Sequence, residues 1–189
     1  KDSQQALLKA WELNINHWDT ADVYGEGKSE KLIGNLWKTI PREDIFLATK
    51  VGWDKGKYSY WYNSQHMKES MERSLKNLKT DYVDVMYLHH CNFGKNDEYF
   101  ENALKTLKEF QKNGKTRFIG LSDWSPDRIV RFIDRCNPDV VQVYRNIMDD
   151  NYKSSGLKKY IDNNNIGVCF FSPLKHGLLT GKYTRPTSF

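Results

Sequence analysis

The stretch DYVDVMYLHH, residues 81–90, decides the fold class of this chain. Its centre is an almost continuous apolar run rather than an alternation of apolar and polar residues. A strand of this kind is buried on both faces, which is typical of a parallel sheet covered by helices. The run GVCFF, residues 167–171, has the same character. We therefore expect an α/β protein built on a parallel sheet.

Outward from this stretch, apolar runs of strand length alternate with segments of helical period. The predicted strands are 15–19, 44–51, 82–90, 116–122, 140–144 and 166–174. The predicted helices are 2–14, 29–38, 64–79, 97–114, 125–136 and 154–165. This order suits two architectures, an open doubly wound sheet and most of an eight-stranded βα barrel. No linker or shift in composition divides residues 1–189, so we expect one domain.

Residues with known capping preferences mark the ends of these helices. Ser29 is the predicted N-cap of the second helix. Ser125 is the predicted N-cap of the fifth helix, with Pro126 at its first position. Gly114 is the predicted C-cap of the fourth helix.

The triplet Gly27-Lys28-Ser29 raises the question of a phosphate-binding loop. Such a loop needs a glycine five positions before the glycine that precedes the lysine, and Asp22 stands there. The second candidate, Gly114-Lys115-Thr116, fails in the same way because of Glu109. No G-x-G-x-x-G follows a predicted strand either, so the usual dinucleotide fingerprint is absent from the sequence.

Composition bears on several other classes of protein. The formal net charge of +5 is spread without basic blocks, which gives no argument for a nucleic-acid partner. The three cysteines, Cys91, Cys136 and Cys169, show neither a disulfide framework nor metal-finger spacing, which favours a reducing compartment. No apolar run has the length of a membrane span and no signal-peptide pattern opens the chain. We expect a soluble cytoplasmic protein with no membrane partner, and the sequence carries no signal for an oligomeric state.

Polar residues recur at one kind of position, the carboxyl ends of the predicted strands. That edge holds the active site in parallel α/β folds, so a set of polar residues there indicates a site. The residues are Asp19, Lys50, His89, Ser122, Asp123, Gln142 and Ser172.

Each of these residues also has an ordinary structural interpretation, such as a solvated lysine, a turn aspartate or a hydrogen-bonded core histidine. Together with Tyr24, however, Asp19, Lys50 and His89 form a group suited to acid catalysis. A tyrosine hydroxyl is a weak acid, and a neighbouring ammonium lowers its pKa. The ammonium needs a carboxylate partner in a partly buried site, and a histidine can orient a substrate oxygen. Such a group protonates a carbonyl oxygen while hydride arrives at the carbonyl carbon.

These motifs resemble the aldo-keto reductase superfamily along nearly the whole chain and in the right order. The matching segments are DTADVYG at 19–25 with Ser29-Glu30, ATK at 48–50, DYVDVMYLHH at 81–90, GLSDWSP at 120–126, VVQV at 140–143 and FFSPLKHGLLTGKY at 170–183. The resemblance implies a (β/α)8 barrel that binds NADP(H) and reduces small carbonyl substrates. It also implies that Asp19, Tyr24, Lys50 and His89 are the catalytic residues, with Tyr24 as general acid, and that there is no metal.

The resemblance further implies a set of cofactor contacts. Ser122, Asp123 and Gln142 match residues that hold the nicotinamide carboxamide, and Phe171 matches the aromatic ring on which the nicotinamide stacks. The loop over the pyrophosphate matches Ser172, Leu174, Gly177, Leu178, Thr180 and Lys182. Two positions depart from the family pattern. Phe171 stands where tyrosine is frequent, and Asp123, where asparagine is frequent, can accept from the carboxamide but not donate to it.

Against the family pattern, the chain corresponds to strands 2–7 of the barrel with their helices. We therefore expect these 189 residues to be part of a longer protein. The segment that carries the 2′-phosphate contacts in the family is not among them, so NAD(H) stays open beside NADP(H). Two further alternatives stay open: a nicotinamide-binding regulatory subunit of the same fold, and a barrel metallohydrolase using His17, Asp19, His89 and His90.

Overall fold

The computed structural model describes residues 2–183, which contain one six-stranded sheet. The strands are β1 (His17–Asp19), β2 (Phe46–Val51), β3 (Val83–Leu88), β4 (Thr116–Asp123), β5 (Val140–Tyr144) and β6 (Gly167–Phe171). The α-helices are α1 (Asp2–Glu12), α2 (Lys28–Gly34), α3 (Ser64–Leu78), α4 (Phe100–Lys112), α5 (Pro126–Cys136), α6 (Asn151–Ser154) and α7 (Leu157–Asn164). Short 3₁₀ turns lie at Leu36–Lys38, Arg42–Asp44, Lys95–Asp97 and Lys175–Thr180. Within residues 2–183, no helix has both the length and the apolar character needed to span a bilayer.

The strand order decides between the two predicted architectures. All neighbouring strands are parallel and follow one another in chain order, whereas a doubly wound sheet reverses its order at a switch point. The sheet is also strongly curled. Gln142 on β5 donates a hydrogen bond to Asp19 on β1 across 3.1 Å, although four strand spacings in a flat sheet would separate them by about 19 Å. The predicted incomplete (β/α)8 barrel is therefore confirmed.

The two faces of the sheet are buried in different ways. Side chains such as Leu47, Met86 and Leu121 point outward into the main core, which they share with the helices. Ala48, Val85 and Tyr87 alternate with them and point into the barrel interior. Burial on both faces explains the continuous apolar sequence of β3.

The predicted start of α5 is confirmed, and the predicted end of α4 is off by one residue. Ser125 is the N-cap of α5 and Pro126 follows it at the start of the helix. Gly114 has a φ of 71°, directly after the C-cap Asn113, and the N–H of Lys115 donates to the carbonyl of Phe110. The glycine thus ends α4 in the left-handed conformation that a side chain would disfavour.

Two other predictions at helix ends are wrong. The N-cap of α2 is Gly27, with a φ of 80°, and not Ser29, whose hydroxyl instead accepts from Thr20. The predicted helix 154–165 starts too early: α7 begins at Leu157, after Gly156 with its φ of 83°, and Ser154 ends the separate helix α6. In both cases a left-handed glycine, whose conformation depends on the surrounding packing, sets the start of the helix.

Gly120 on β4 is fixed by close packing in the barrel interior. It lies opposite Tyr87 in the β3–β4 register, and the buried tyrosine ring covers it. A Cβ atom at Gly120 would lie 2.4 Å from Tyr87 Cδ1 and 2.9 Å from the carbonyl oxygen of Val140. A glycine is therefore required there for space.

We predict that Gly120→Ala lowers the free energy of unfolding by about 1–3 kcal/mol, the usual effect of overpacking a tight interior. Urea titration followed by circular dichroism measures this. Gly167→Ala is the matched control, because Gly167 also faces the interior from a strand and its added Cβ would meet Val140 Cγ2 at an ordinary 3.4 Å. Equal losses in the two variants would contradict the steric explanation.

Candidate active site

A cleft of about 460 Å³ opens at the carboxyl ends of the strands. Because the strands are parallel and curled, side chains from five of them converge there. The lining residues are Asp19, Val23, Tyr24, Lys50, Trp53, His89, Ser122, Trp124, Gln142, Phe171, Ser172 and His176. The four residues proposed for catalysis are all among them.

Lys50 and Asp19 form an ion pair at the base of the cleft. Lys50 Nζ donates to Asp19 Oδ2 across 2.6 Å and to the carbonyl of Thr20 across 2.8 Å. The lysine side chain is only 2% exposed, whereas the aspartate keeps access to the cleft. Burial lowers the pKa of Lys50, and the charge and hydrogen bond of Asp19 oppose that effect. The carboxylate thus favours the charged form of a buried amine, as expected from the sequence.

The ring of Tyr24 lies against this ion pair, and the tyrosine lines the cleft with 42% of its surface exposed. Lys50 Nζ is 5.1 Å from the centre of the Tyr24 ring. The His89 ring lies edge-on to the same tyrosine, with 5.8 Å between ring centres. The structure therefore brings Asp19, Tyr24, Lys50 and His89 into one group.

One expectation about Tyr24 is wrong in this structure. Burial, followed by the negative charge of Asp19, raises the pKa of the Tyr24 hydroxyl, where the sequence suggested that an ammonium would lower it. The main reason is burial of the hydroxyl, to which Asp19, the partner of Lys50, adds its negative charge. Tyr24 is thus held in its protonated form at neutral pH.

His89 is held in its neutral form. Burial, together with the nearby charges of Lys50 and His90, lowers the pKa of His89 to about 3. A neutral imidazole carries one N–H donor and one acceptor nitrogen. The Nδ1 atom of His89 is buried without a hydrogen-bond partner among the described residues. The ring can therefore offer a hydrogen bond to a ligand, but no positive charge.

His90, the alternative histidine, faces away from this group. Its ring packs against Trp61 and Tyr62, with 5.0 and 5.3 Å between ring centres. Its backbone N–H donates to the hydroxyl of Tyr62. The geometry therefore places His89, and not His90, beside Tyr24.

Ser122, Gln142 and Phe171 line the same cleft. Ser122 Oγ donates to Gln142 Oε1 across 3.4 Å, and Gln142 Nε2 donates to Asp19 Oδ1 across 3.1 Å. Both polar side chains keep unused donor or acceptor capacity, and the Phe171 ring lies beside them. A flat ring bearing a carboxamide would be complemented by these groups.

Asp123 does not line the cleft, contrary to its predicted position. It follows Ser122 on β4, so its side chain points to the other face of the sheet, where it is 1% exposed. Its two oxygens accept from the backbone N–H groups of Cys91, at 2.7 Å, and Ser125, at 2.8 Å. Asp123 thus fixes the chain after β3 to the chain after β4.

The loop after β6 meets the cleft through two residues, Ser172 and His176. The other residues predicted for a pyrophosphate loop do not line the cleft; they are Leu174, Gly177, Leu178, Thr180 and Lys182. They lie in or beside the 3₁₀ turn Lys175–Thr180, and Lys182 is exposed there.

Sequence reasoning missed Trp124 as a cleft residue. Its ring stacks on Tyr144, with 4.9 Å between centres, and on His176, with 5.6 Å. An aromatic residue directly after a strand-end motif is the signal that could have identified it. Trp53 also lines the cleft, with its ring against His89. Trp18 is core, stacked on Trp37 on the outer face.

The residues of the metal-site alternative are not grouped. His17 packs against Phe46, with 5.2 Å between ring centres, and is not among the residues of the cleft that Asp19 and His89 line. Across residues 2–183 no three His, Cys, Asp or Glu side chains are placed to hold a metal ion.

A curled parallel sheet with this polar group at its carboxyl edge defines a βα-barrel protein with a candidate active site at the strand ends. The family model described as "Aldo/keto reductase family" matches residues 1–189, and the chain belongs to that family.

Individual relatives agree with this assignment. An L-galactose dehydrogenase of Arabidopsis thaliana is 33% identical over 184 residues, 95% of this chain and 57% of the relative. An NADP(+) aldo-keto reductase of Schizosaccharomyces pombe is 33% identical over 194 residues, 99% of this chain and 56% of the relative. The holo form of an aldo-keto reductase from Bacillus halodurans superposes with a TM-score of 0.82 at 30% identity, covering 98% of this chain and 60% of that one.

The chain therefore spans little more than half the length of the relatives it matches. A relative of a different kind, described as a probable voltage-gated potassium channel subunit beta of Arabidopsis thaliana, is 28% identical over 199 residues. That match covers 98% of this chain and 58% of the relative.

Behind the cleft, Asp22 is a buried carboxyl that the sequence did not single out. Burial and the charge of nearby Glu30 raise the pKa of Asp22 to about 7, although Arg73 lies 3.7 Å away. Asp22 Oδ1 has no hydrogen-bond partner among the described residues. Because the pKa of Asp22 is higher in the folded protein, the unfolded chain releases this proton at a lower pH. The free energy of unfolding therefore falls as the pH rises from 3.8 to about 7.

We therefore predict that Asp22→Asn is more stable than the parent at pH 8, by an amount of the order of 2–4 kcal/mol, and that this gain disappears toward pH 4. Urea denaturation at both pH values measures it. Asp81→Asn, at an exposed aspartate, is the control and is expected to show no such dependence on pH. An Asp22→Asn protein less stable than the parent at pH 8 would contradict the prediction.

Proposed function

We propose that the protein reduces aldehydes or ketones to alcohols with a nicotinamide cofactor, and that Tyr24 is the general acid. The observation that carries the proposal is the convergence of two groups on one cleft. Tyr24, Lys50 with Asp19, and His89 form one group, and the Ser122–Gln142 pair with Phe171 forms the other. The first group suits a carbonyl oxygen, and the second suits a nicotinamide.

The cofactor proposed is NADP(H), with NAD(H) as the alternative. The nicotinamide end fits the residues present, since Ser122, Gln142 and Phe171 offer a hydroxyl, an amide and an aromatic face. A relative named for NADP(+) supports the preference. For the phosphates we propose Lys182 and the backbone of the loop from Ser172 to Thr180. When bound, the cofactor supplies hydride to the carbonyl carbon.

The protein's own residues would handle the oxygen of the substrate. Tyr24, held protonated by its raised pKa, donates a hydrogen bond to the carbonyl oxygen and then gives up its proton. Neutral His89 donates a second hydrogen bond and orients the same oxygen. The charged amine of Lys50 stabilises the phenolate that forms. Asp19 keeps this lysine charged in its buried position.

A nicotinamide-binding regulatory subunit with little turnover is the second candidate. It is favoured by the similarity to the channel beta subunit. The geometry of the cleft suits both candidates, because binding and turnover use the same groups. They differ in turnover rate.

We further propose that residues 1–189 are part of one barrel domain that acts in the cytoplasm on small carbonyl compounds. The location is inferred from the three cysteines, which are all free thiols.

We expect Tyr24→Phe to lower kcat for NADPH-dependent reduction of a panel of aldehydes and ketones by about 10²–10⁴-fold, because the proton donor is lost. NADPH binding, followed by fluorescence titration, is expected to persist. Tyr160→Phe is the matched control, since its hydroxyl bonds to Asp134 on an exposed helix surface far from the cleft lining.

Equal rates in the parent and Tyr24→Phe would remove Tyr24 from the mechanism. An absence of turnover in both, with NADPH still bound, would favour the regulatory subunit.

A further inference from the structure

A second, smaller cavity of about 260 Å³ adjoins the cleft. Trp53 and Trp124 line both spaces, so the two cavities meet at these rings. The smaller cavity is lined by Trp53, Trp61, His90, Asn92, Asp123, Trp124 and Arg128. It thus has aromatic walls and contains the guanidinium of Arg128 beside the buried carboxylate of Asp123.

Arg128 has unused hydrogen-bonding capacity. Its side chain is 60% exposed, and its closest carboxylate atom is Asp123 Oδ2, at 3.9 Å from Nη1. That carboxylate is already engaged by two backbone N–H groups. The other arginines of residues 2–183 each donate directly to an oxygen of the protein; they are Arg42, Arg73, Arg117, Arg131, Arg135 and Arg145. Arg128 differs from them in making no such bond.

His90 provides a second donor in the same cavity. Its Nδ1 accepts from the backbone N–H of Asn92 across 3.2 Å. Burial lowers the pKa of His90 to about 4 in spite of the opposing negative charge of Asp123, so the ring is neutral at pH 7. With Nδ1 as acceptor, the single hydrogen of the neutral ring is on Nε2. The cavity therefore offers an N–H donor beside a guanidinium.

We propose that this cavity is a subsite for a carboxylate on the carbonyl substrate. Arg128 is the cation that binds the carboxylate, and His90 is the accompanying hydrogen-bond donor. The rings of Trp53 and Trp124 contact the part of the substrate that connects its carboxylate to its carbonyl group. The free N–H groups of a guanidinium match the two oxygens of a carboxylate. The flat rings between the two cavities suit a planar connection between carbonyl and carboxylate. The substrate class is thus an aromatic or similarly planar aldehyde or ketone acid. This proposal rests on the reductase activity proposed above.

The test compares 4-carboxybenzaldehyde with 4-nitrobenzaldehyde, which has a similar shape but no charge. For Arg128→Gln we expect the ratio of kcat/KM for the carboxylate to that for the nitro compound to fall about 10- to 100-fold, as for loss of a charged hydrogen bond. Arg131→Gln is the matched control, since Arg131 lies one turn further along α5 and is paired with Asp97. Its ratio is expected to stay at the parent value, and Arg128→Lys is expected to recover part of the loss.

An unchanged ratio in Arg128→Gln would overturn the subsite, as would an equal loss in Arg131→Gln. A second measurement tests the subsite independently of any reductase activity. Benzoate is titrated against the tryptophan fluorescence of the parent protein and of Arg128→Gln without any turnover. Weaker benzoate binding in the variant supports the subsite even if neither aldehyde is reduced, and equal binding overturns it.

Discussion

The rest of the site depends on the contacts made by one group, the carboxylate of Asp19. It accepts from Lys50 on β2 and from Gln142 on β5 while lying at the end of β1, so it joins strands from both sides of the curled sheet. A buried ammonium needs such a partner, because an unpaired charge in this position would cost several kcal/mol. The same negative charge contributes to the raised pKa of Tyr24. One side chain therefore links the curvature of the sheet to the protonation states in the cleft.

Because side chains alternate along a strand, neighbouring residues point to opposite faces of the sheet and have different structural roles. Ser122 faces the cleft, whereas Asp123 points to the outer face and holds the backbone of Cys91 and Ser125. His89 and His90 are separated in a similar way, one beside Tyr24 and the other beside Trp61. The outward-facing members fix the loops that carry the inward-facing ones. An aspartate serves this purpose at position 123, since it can accept from two backbone N–H groups at once.

Most of the fold and much of the site could be predicted from the sequence, because they depend on local pattern. The apolar run of β3 and the regular alternation of strands and helices indicated a parallel sheet. The polar residues at strand ends identified Asp19, Lys50, His89, Ser122 and Gln142, and the carboxyl ends of parallel strands do meet at one edge. The start of α2 was misplaced because the left-handed glycine Gly27, not the serine, begins it.

What the sequence alone determined is therefore most of the polar residues that line the cleft, since strand ends and family motifs are local properties of the chain. Only the tertiary structure decided where their side chains point and how they are charged. The curl of the sheet brought Gln142 to Asp19, and alternation turned Asp123 away. Burial is the main cause of the shifted pKa values of Tyr24, His89 and Asp22, and it cannot be read from a local stretch of sequence. A pKa shift depends on desolvation and on charges from other strands, and these exist only once the chain has folded.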